Sequence, residues 1–214
     1  METYSEKMLQ ALAAENLADA QLNFAKALQS DQNEVLAELG EELIQIGFLE
    51  EAREVFDTLQ ERDPENEEWL LSLAEIAMEN DQIDEAFDYL DRITPQSSFY
   101  PRALLISADL YQLIGIPEVS EAKLLEAQKL LPKESLIRFA LAELYFSTDR
   151  YQEAAEFYQG LLKENIQEIT GISLLERTGA ALSMAGKFEE AIEYLEASLA
   201  EDQTDDRLSV SYTH

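Results

Sequence analysis

The chain has no cysteine, one histidine, one tryptophan, seven glycines and five prolines among its 214 residues. Without cysteine there is no disulfide framework, no thiol chemistry and no zinc site of the usual kinds. The single histidine is His214, which leaves nothing for histidine-based acid–base or metal chemistry. The glycines are isolated rather than gathered into a phosphate-cradling loop. Serines such as Ser97, Ser98 and Ser107 have no base to activate them. Cations are also scarce: 15 Lys and Arg face 45 Asp and Glu, a net charge of −30. Phosphate contacts need a basic face, so neither nucleic acid nor an anionic membrane surface is an expected partner. Excess acid keeps a surface soluble, and it also favours basic partners. No stretch reaches the roughly 20 apolar residues of a spanning helix. Met1 to Lys7 lack the basic start and apolar run of a secretory signal, which makes the cytoplasm the expected compartment. Acidic clusters such as Asp63-Pro64-Glu65-Asn66-Glu67-Glu68 lack the central Gly and final Glu of a calcium loop. They fit the solvated start of a helix, where acids complement the dipole. No catalytic residue, cofactor or metal ligand is expected.

What the sequence does have is a ladder of small residues: Ala20, Ala52, Ala86, Ser120, Ala154 and Ala191, with gaps of 32, 34, 34, 34 and 37. Twelve residues before a ladder position stands another small residue, Gly40, Ala74, Ala108, Ala142 or Gly179. Five before it stands a turn former, Gly47, Asp81, Gly115, Asp149 or Gly186. Four after it comes a large apolar side chain, Phe24, Phe56, Leu90, Leu124, Tyr158 or Leu195. Two antiparallel helices approach closely only where facing side chains are small. The turn former tolerates the left-handed conformation that ends the first helix. The large residue lies one turn along the same face and fills the space left by the small one.

A period near 34 is that of one helix–turn–helix unit. With Leu39-Gly40, Leu43, Gly47, Ala52, Phe56 and Pro64 as its clearest copy, the pattern resembles the tetratricopeptide repeat. The resemblance covers essentially the whole chain. It implies an all-α, right-handed superhelical solenoid of about six helix pairs, a binding scaffold rather than an enzyme.

The copies are expected at 1–32, 33–66, 67–100, 101–134, 135–171 and 172–205, with 206–214 as a tail, all in a single solenoid. The first helix of the first copy is expected to be the weakest, with Met8 where a small residue belongs. Asp63-Pro64 and Leu131-Pro132 should end helices, because proline lacks an amide hydrogen and restricts its predecessor. Pro117 fits a first turn, where the missing donor does no harm. Thr94-Pro95 and the residues up to Pro101 predict an irregular joint. A three-residue excess falls in Asn165 to Gly171. Ile192 and Leu199 make the sixth copy look internal rather than capping, so the chain is expected to be part of a longer repeat protein.

In proteins of this family the first helices line a concave groove. Eleven residues before the ladder stand Glu41, Glu75, Asp109 and Glu143, and Ala180 breaks the row. Apolar residues bracket the row, with Leu71, Leu105 and Phe139 on one side and Met78 and Phe146 on the other. Together these nine residues form the expected partner-binding groove. The basic clamp with which many family members hold a chaperone's terminal carboxylate is absent, since Arg102 and Arg177 look isolated. Two functional readings stay open: an adaptor holding a protein or peptide segment of basic and apolar character, and a structural module that homo-oligomerises through its terminal repeats.

Overall fold

The computed structural model describes residues 2–164 and 172–211. These contain twelve helices and no strand: α1 (Tyr4–Ala13), α2 (Leu17–Ser30), α3 (Asn33–Gln45), α4 (Leu49–Arg62), α5 (Glu68–Glu79), α6 (Ile83–Leu90), α7 (Tyr100–Leu113), α8 (Pro117–Leu130), α9 (Ser135–Ser147), α10 (Tyr151–Leu161), α11 (Leu174–Met184) and α12 (Phe188–Ser211). The chain divides into two compact units, Met1–Leu110 and Tyr111–His214. The division falls inside α7, not at the proline-rich joint before it.

The ladder is the packing seam. All six of its residues are buried, none more than 2% exposed. Helices pair as the spacing predicts: α1 with α2, α3 with α4 and α5 with α6 in the first unit, α9 with α10 and α11 with α12 in the second. How closely they pair is set at Gly40 and Gly179. A Cβ on Gly40 would lie 2.7 Å from the Phe56 ring, and one on Gly179 would lie 2.6 Å from Leu195. The large residue therefore rests directly on its small counterpart, with no room for a methyl group.

The turns follow the same rule. Gly47, Asp81, Gly115, Asp149 and Gly186 all have positive φ. Glu15, five residues before Ala20, does the same at φ 57°. It lacks the short side chain that makes the left-handed region tolerable, so it carries strain.

Helix ends also agree with the sequence. α4 stops at Arg62 before Asp63-Pro64, α8 stops before Leu131-Pro132, and Pro117 is in the first turn of α8. The joint between α6 and α7 runs over 91–99. α6 ends four residues before Thr94, and Pro101 lies in the first turn of α7.

Two features depart from expectation. The first helix is not loosely held: Thr3 and Glu6 form a reciprocal cap, and Asp31 accepts hydrogen bonds from the amides of Tyr4 and Ser5 and from the Ser5 hydroxyl. Met8 is buried at 2% exposure in place of the small residue. At the other end α12 does not stop near Asp205 but continues to Ser211. The excess at Asn165–Gly171 lies outside the described residues.

Candidate partner-binding face

The carboxylates of the row sit on the first helix of each pair: Glu41 on α3, Glu75 on α5, Asp109 on α7 and Glu143 on α9. In the first unit, Glu41 is exposed and forms none of the ion pairs among the described residues. Glu75 accepts from Arg102 at 3.0 Å. Asp109 is open to water by surface area, yet its carboxyl is pushed up to about 6, first by desolvation and then by Glu75. The two facts are compatible: part of the side chain is accessible, while surrounding protein excludes much of the solvent that would stabilise its charge. The repulsion also shows that the Glu75 and Asp109 carboxylates are electrostatic neighbours.

The second unit treats its member of the row differently. The Tyr158 hydroxyl donates to Glu143 at 2.5 Å, and Arg177 lies 3.3 Å from the same carboxylate. Burial, then the bond to Glu143, keeps the Tyr158 phenol protonated well above the ordinary tyrosine range. Glu143 is thus a tied structural acceptor. Arg102 and Arg177, which look isolated in sequence, are each paired to the row. The missed signal for Arg177 is its distance of 34 residues from Glu143, one repeat length.

The apolar members also separate. Leu71 is fully buried in the first unit's core among Leu70, Ala74 and Ala86. Phe139 is 7% exposed and packs on Tyr158, with ring centres 6.2 Å apart. Both are core residues rather than groove contacts, a correction to the sequence reading. The face of α5 or α9 that carries them is covered by neighbouring helices. Leu105 and Met78 are half-buried and leave part of their surface open. Phe146 is half-buried too, stacked edgewise on Tyr151 at 5.4 Å and lying beneath the Arg177 guanidinium at 6.0 Å.

What remains available in the first unit is a carboxylate row with partly open apolar flanks. Such a surface can attract and orient a cationic segment and bury some of its apolar atoms. Among the described residues no group of three or more Asp, Glu, His or Cys side chains is placed to hold a metal ion, and no helix is long and apolar enough to cross a membrane.

Comparison with known proteins bears on the fold. A family model described as tetratricopeptide repeat matches residues 37–101, and one described as YpiA-like, tetratricopeptide repeats, matches 112–166. The TPR repeat-containing protein YpiA of Bacillus subtilis (strain 168) is 34% identical over 177 residues, which is 83% of this chain. The chain spans 41% of that relative's length. Among solved structures, a thermophilic TPR protein of Thermus thermophilus superposes with a TM-score of 0.61 at 26% identity, over 84% of this chain and 97% of that one. The MamA protein gives 0.62 at 19% identity over 82% and 94% of the two chains. A tetratricopeptide repeat protein from Parabacteroides merdae ATCC 43184 gives 0.65 at 19% identity over 92% and 78%. The last two likenesses speak to the fold alone.

Proposed function

This chain belongs to the tetratricopeptide-repeat family, an all-α solenoid fold that serves protein–protein interaction, and from that premise we propose that it is a cytoplasmic, non-catalytic adaptor. It holds a basic segment of a partner protein along the first helices of the Met1–Leu110 unit. The observation that supports this reading is the row Glu41, Glu75 and Asp109, repeated every 34 residues, with Arg102 as the one cation paired to it among the described residues. A row so poorly neutralised speeds encounter with Lys or Arg and fixes its orientation. Leu105 and Met78 supply the apolar contact that slows release.

A peptide selected from a random display library on the folded chain tests this. Glu75→Gln with Asp109→Asn should slow its association and flatten the salt dependence. Leu105→Ala should mainly speed its dissociation. A peptide that binds both variants like the parent, with an unchanged salt response, would place the site elsewhere.

A second reading has its own support. Phe188, Ile192 and Leu199 on α12 are 64%, 53% and 61% exposed, and their spacing puts them on one side of the helix. A second copy covering them would make the module self-assembling. Light scattering over a concentration series distinguishes the two: a rise in mass abolished by Ile192→Ser with Leu199→Ser favours assembly, and a constant mass removes it.

A further inference from the structure

The first two helix pairs enclose an apolar cleft at their turn edge. Its volume is about 690 Å³, and it is walled by Leu9 and Leu12 of α1, Leu17 at the start of α2, Ile46 at the end of α3, and Phe48 just before α4. A second cavity of about 200 Å³, which reaches toward Ala20 and Phe24, shares the walls Leu12, Leu17 and Phe48. The volume of the larger cleft lies within the roughly 300–1,000 Å³ of sites that hold small ligands or side-chain anchors. Leu17 is 62% exposed and Ile46 52% exposed, so two large aliphatic side chains at the cleft face water.

The charge around the cleft is one-sided. Glu15 and Glu42 are among its lining residues, and Glu51 lines the second cavity. These three take part in none of the ion pairs among the described residues. Nearby cations are engaged elsewhere. Lys7 and Lys26 lie over the Tyr4 ring at 5.1 and 5.6 Å. Arg53 pairs with Glu85, and Arg62 donates to the carbonyl oxygens of Leu28 and Asp31. The repeat register adds a direction. Leu9 is eleven residues before Ala20, the slot filled by Glu41, Glu75 and Asp109 in the next three repeats. The first repeat therefore replaces the carboxylate with an aliphatic side chain that walls the cleft.

We propose that this cleft is an anchor site for a partner peptide that carries a bulky apolar side chain flanked by Lys or Arg. The anchor is buried against Leu9, Leu17 and Ile46. Its cationic neighbours meet Glu15 and Glu42 at the cleft and run on along the carboxylate row. The inference deepens the adaptor reading, on which it rests, by giving the bound segment a polarity, with the apolar anchor at the first-repeat end. Burying exposed aliphatic surface supplies affinity, while unpaired carboxylates reject acidic segments.

A random twelve-residue display library, selected on the parent chain and sequenced, is the probe. Three chains are then compared for binding of the recovered peptides: the parent, Leu17→Ser with Ile46→Ser, and Glu75→Gln with Asp109→Asn. Because Leu17 and Ile46 are largely exposed, the cleft variant should fold, as circular dichroism checks. The expected result is a recovered set rich in Leu, Phe or Met beside Lys or Arg, weakened about tenfold or more by the cleft variant and less by the row variant. Peptides that bind the cleft variant like the parent but lose affinity for the row variant would overturn the cleft and leave the adaptor reading standing. Peptides indifferent to both would overturn both. A set without apolar anchors, or no enrichment at all, would also overturn the cleft.

Discussion

The two units place the same repeat position in opposite circumstances. In Met1–Leu110, among the described residues, Glu41 joins no ion pair and Glu75 pairs only with Arg102, while desolvation, then repulsion from Glu75, lifts the Asp109 carboxyl to about 6. In Tyr111–His214, Glu143 is held by the Tyr158 hydroxyl and by Arg177. The backbone register is identical, but one large residue changes. Tyr158 stands in the slot four after the ladder, where Phe24, Phe56, Leu90 and Leu124 are purely apolar. Its hydroxyl reaches back to the first helix and ties a carboxylate that keeps part of its surface in water. Repeat position thus fixes where a side chain starts. Its partners then decide whether it serves binding or stability.

The largest expected effect is common to both units. Ala86→Leu in the first and Ala154→Leu in the second replace fully buried ladder residues. Each should lower unfolding stability by about 1–3 kcal/mol, read from denaturant melts against Glu156→Gln as a silent control. A leucine variant that melts like the parent would refute the helix-pair register.

The next effect separates the units. Tyr158→Phe removes the hydroxyl from Glu143 and should cost about 0.5–1.5 kcal/mol, the net worth of a hydrogen bond whose acceptor keeps part of its surface in water. Phe56→Tyr places a hydroxyl fifteen residues after Glu41, the spacing of Tyr158 from Glu143, and should tie that carboxylate in the first unit with a gain of about 0.5–1 kcal/mol. A Phe56→Tyr chain that gains nothing would mean that the Tyr158 slot is not what separates the units.

A smaller effect concerns pH. The Asp109 pKa is raised from its ordinary 3.8 to about 6, so between these values the folded chain holds a proton that the unfolded chain has lost. Stability should fall as pH rises through that window, and the loss is complete above about pH 6. Asp109→Asn should flatten this part of the profile and raise stability near pH 7, modestly, because the side chain is open to water.

The smallest effect is at the first turn. Glu15→Gly relieves a left-handed Glu and should stabilise by about 0.5–1 kcal/mol in the same melts. Gly115→Ala, at the turn that opens the second unit, should do the reverse. A destabilised Glu15→Gly chain would mean that the Glu15 side chain contributes more than its backbone strain costs.

How much of this is legible in the sequence depends on the kind of information. Ladder, turns and helix ends are readable because each rests on a local rule, such as small against large or Gly and Asp at positive φ. Exposure is not. Leu71, Leu105 and Phe139 occupy one repeat slot, yet Leu71 and Phe139 are buried while Leu105 is partly open. That difference is set by side chains contributed from neighbouring helices. Arg102 and Arg177 look isolated for the same reason, since their partners lie 27 and 34 residues away. The anchor cleft escapes a periodic reading because it breaks the pattern: Leu9 sits where the next four repeats carry a carboxylate.

The contrast between the units is tested most directly by association kinetics. A basic peptide recovered from the library is mixed with the parent, with Glu75→Gln plus Asp109→Asn, and with Glu143→Gln, over a range of salt concentrations. The account predicts that the first-unit variant binds more slowly and with a flatter salt dependence, while Glu143→Gln matches the parent. An equal or larger loss of rate in Glu143→Gln would contradict it.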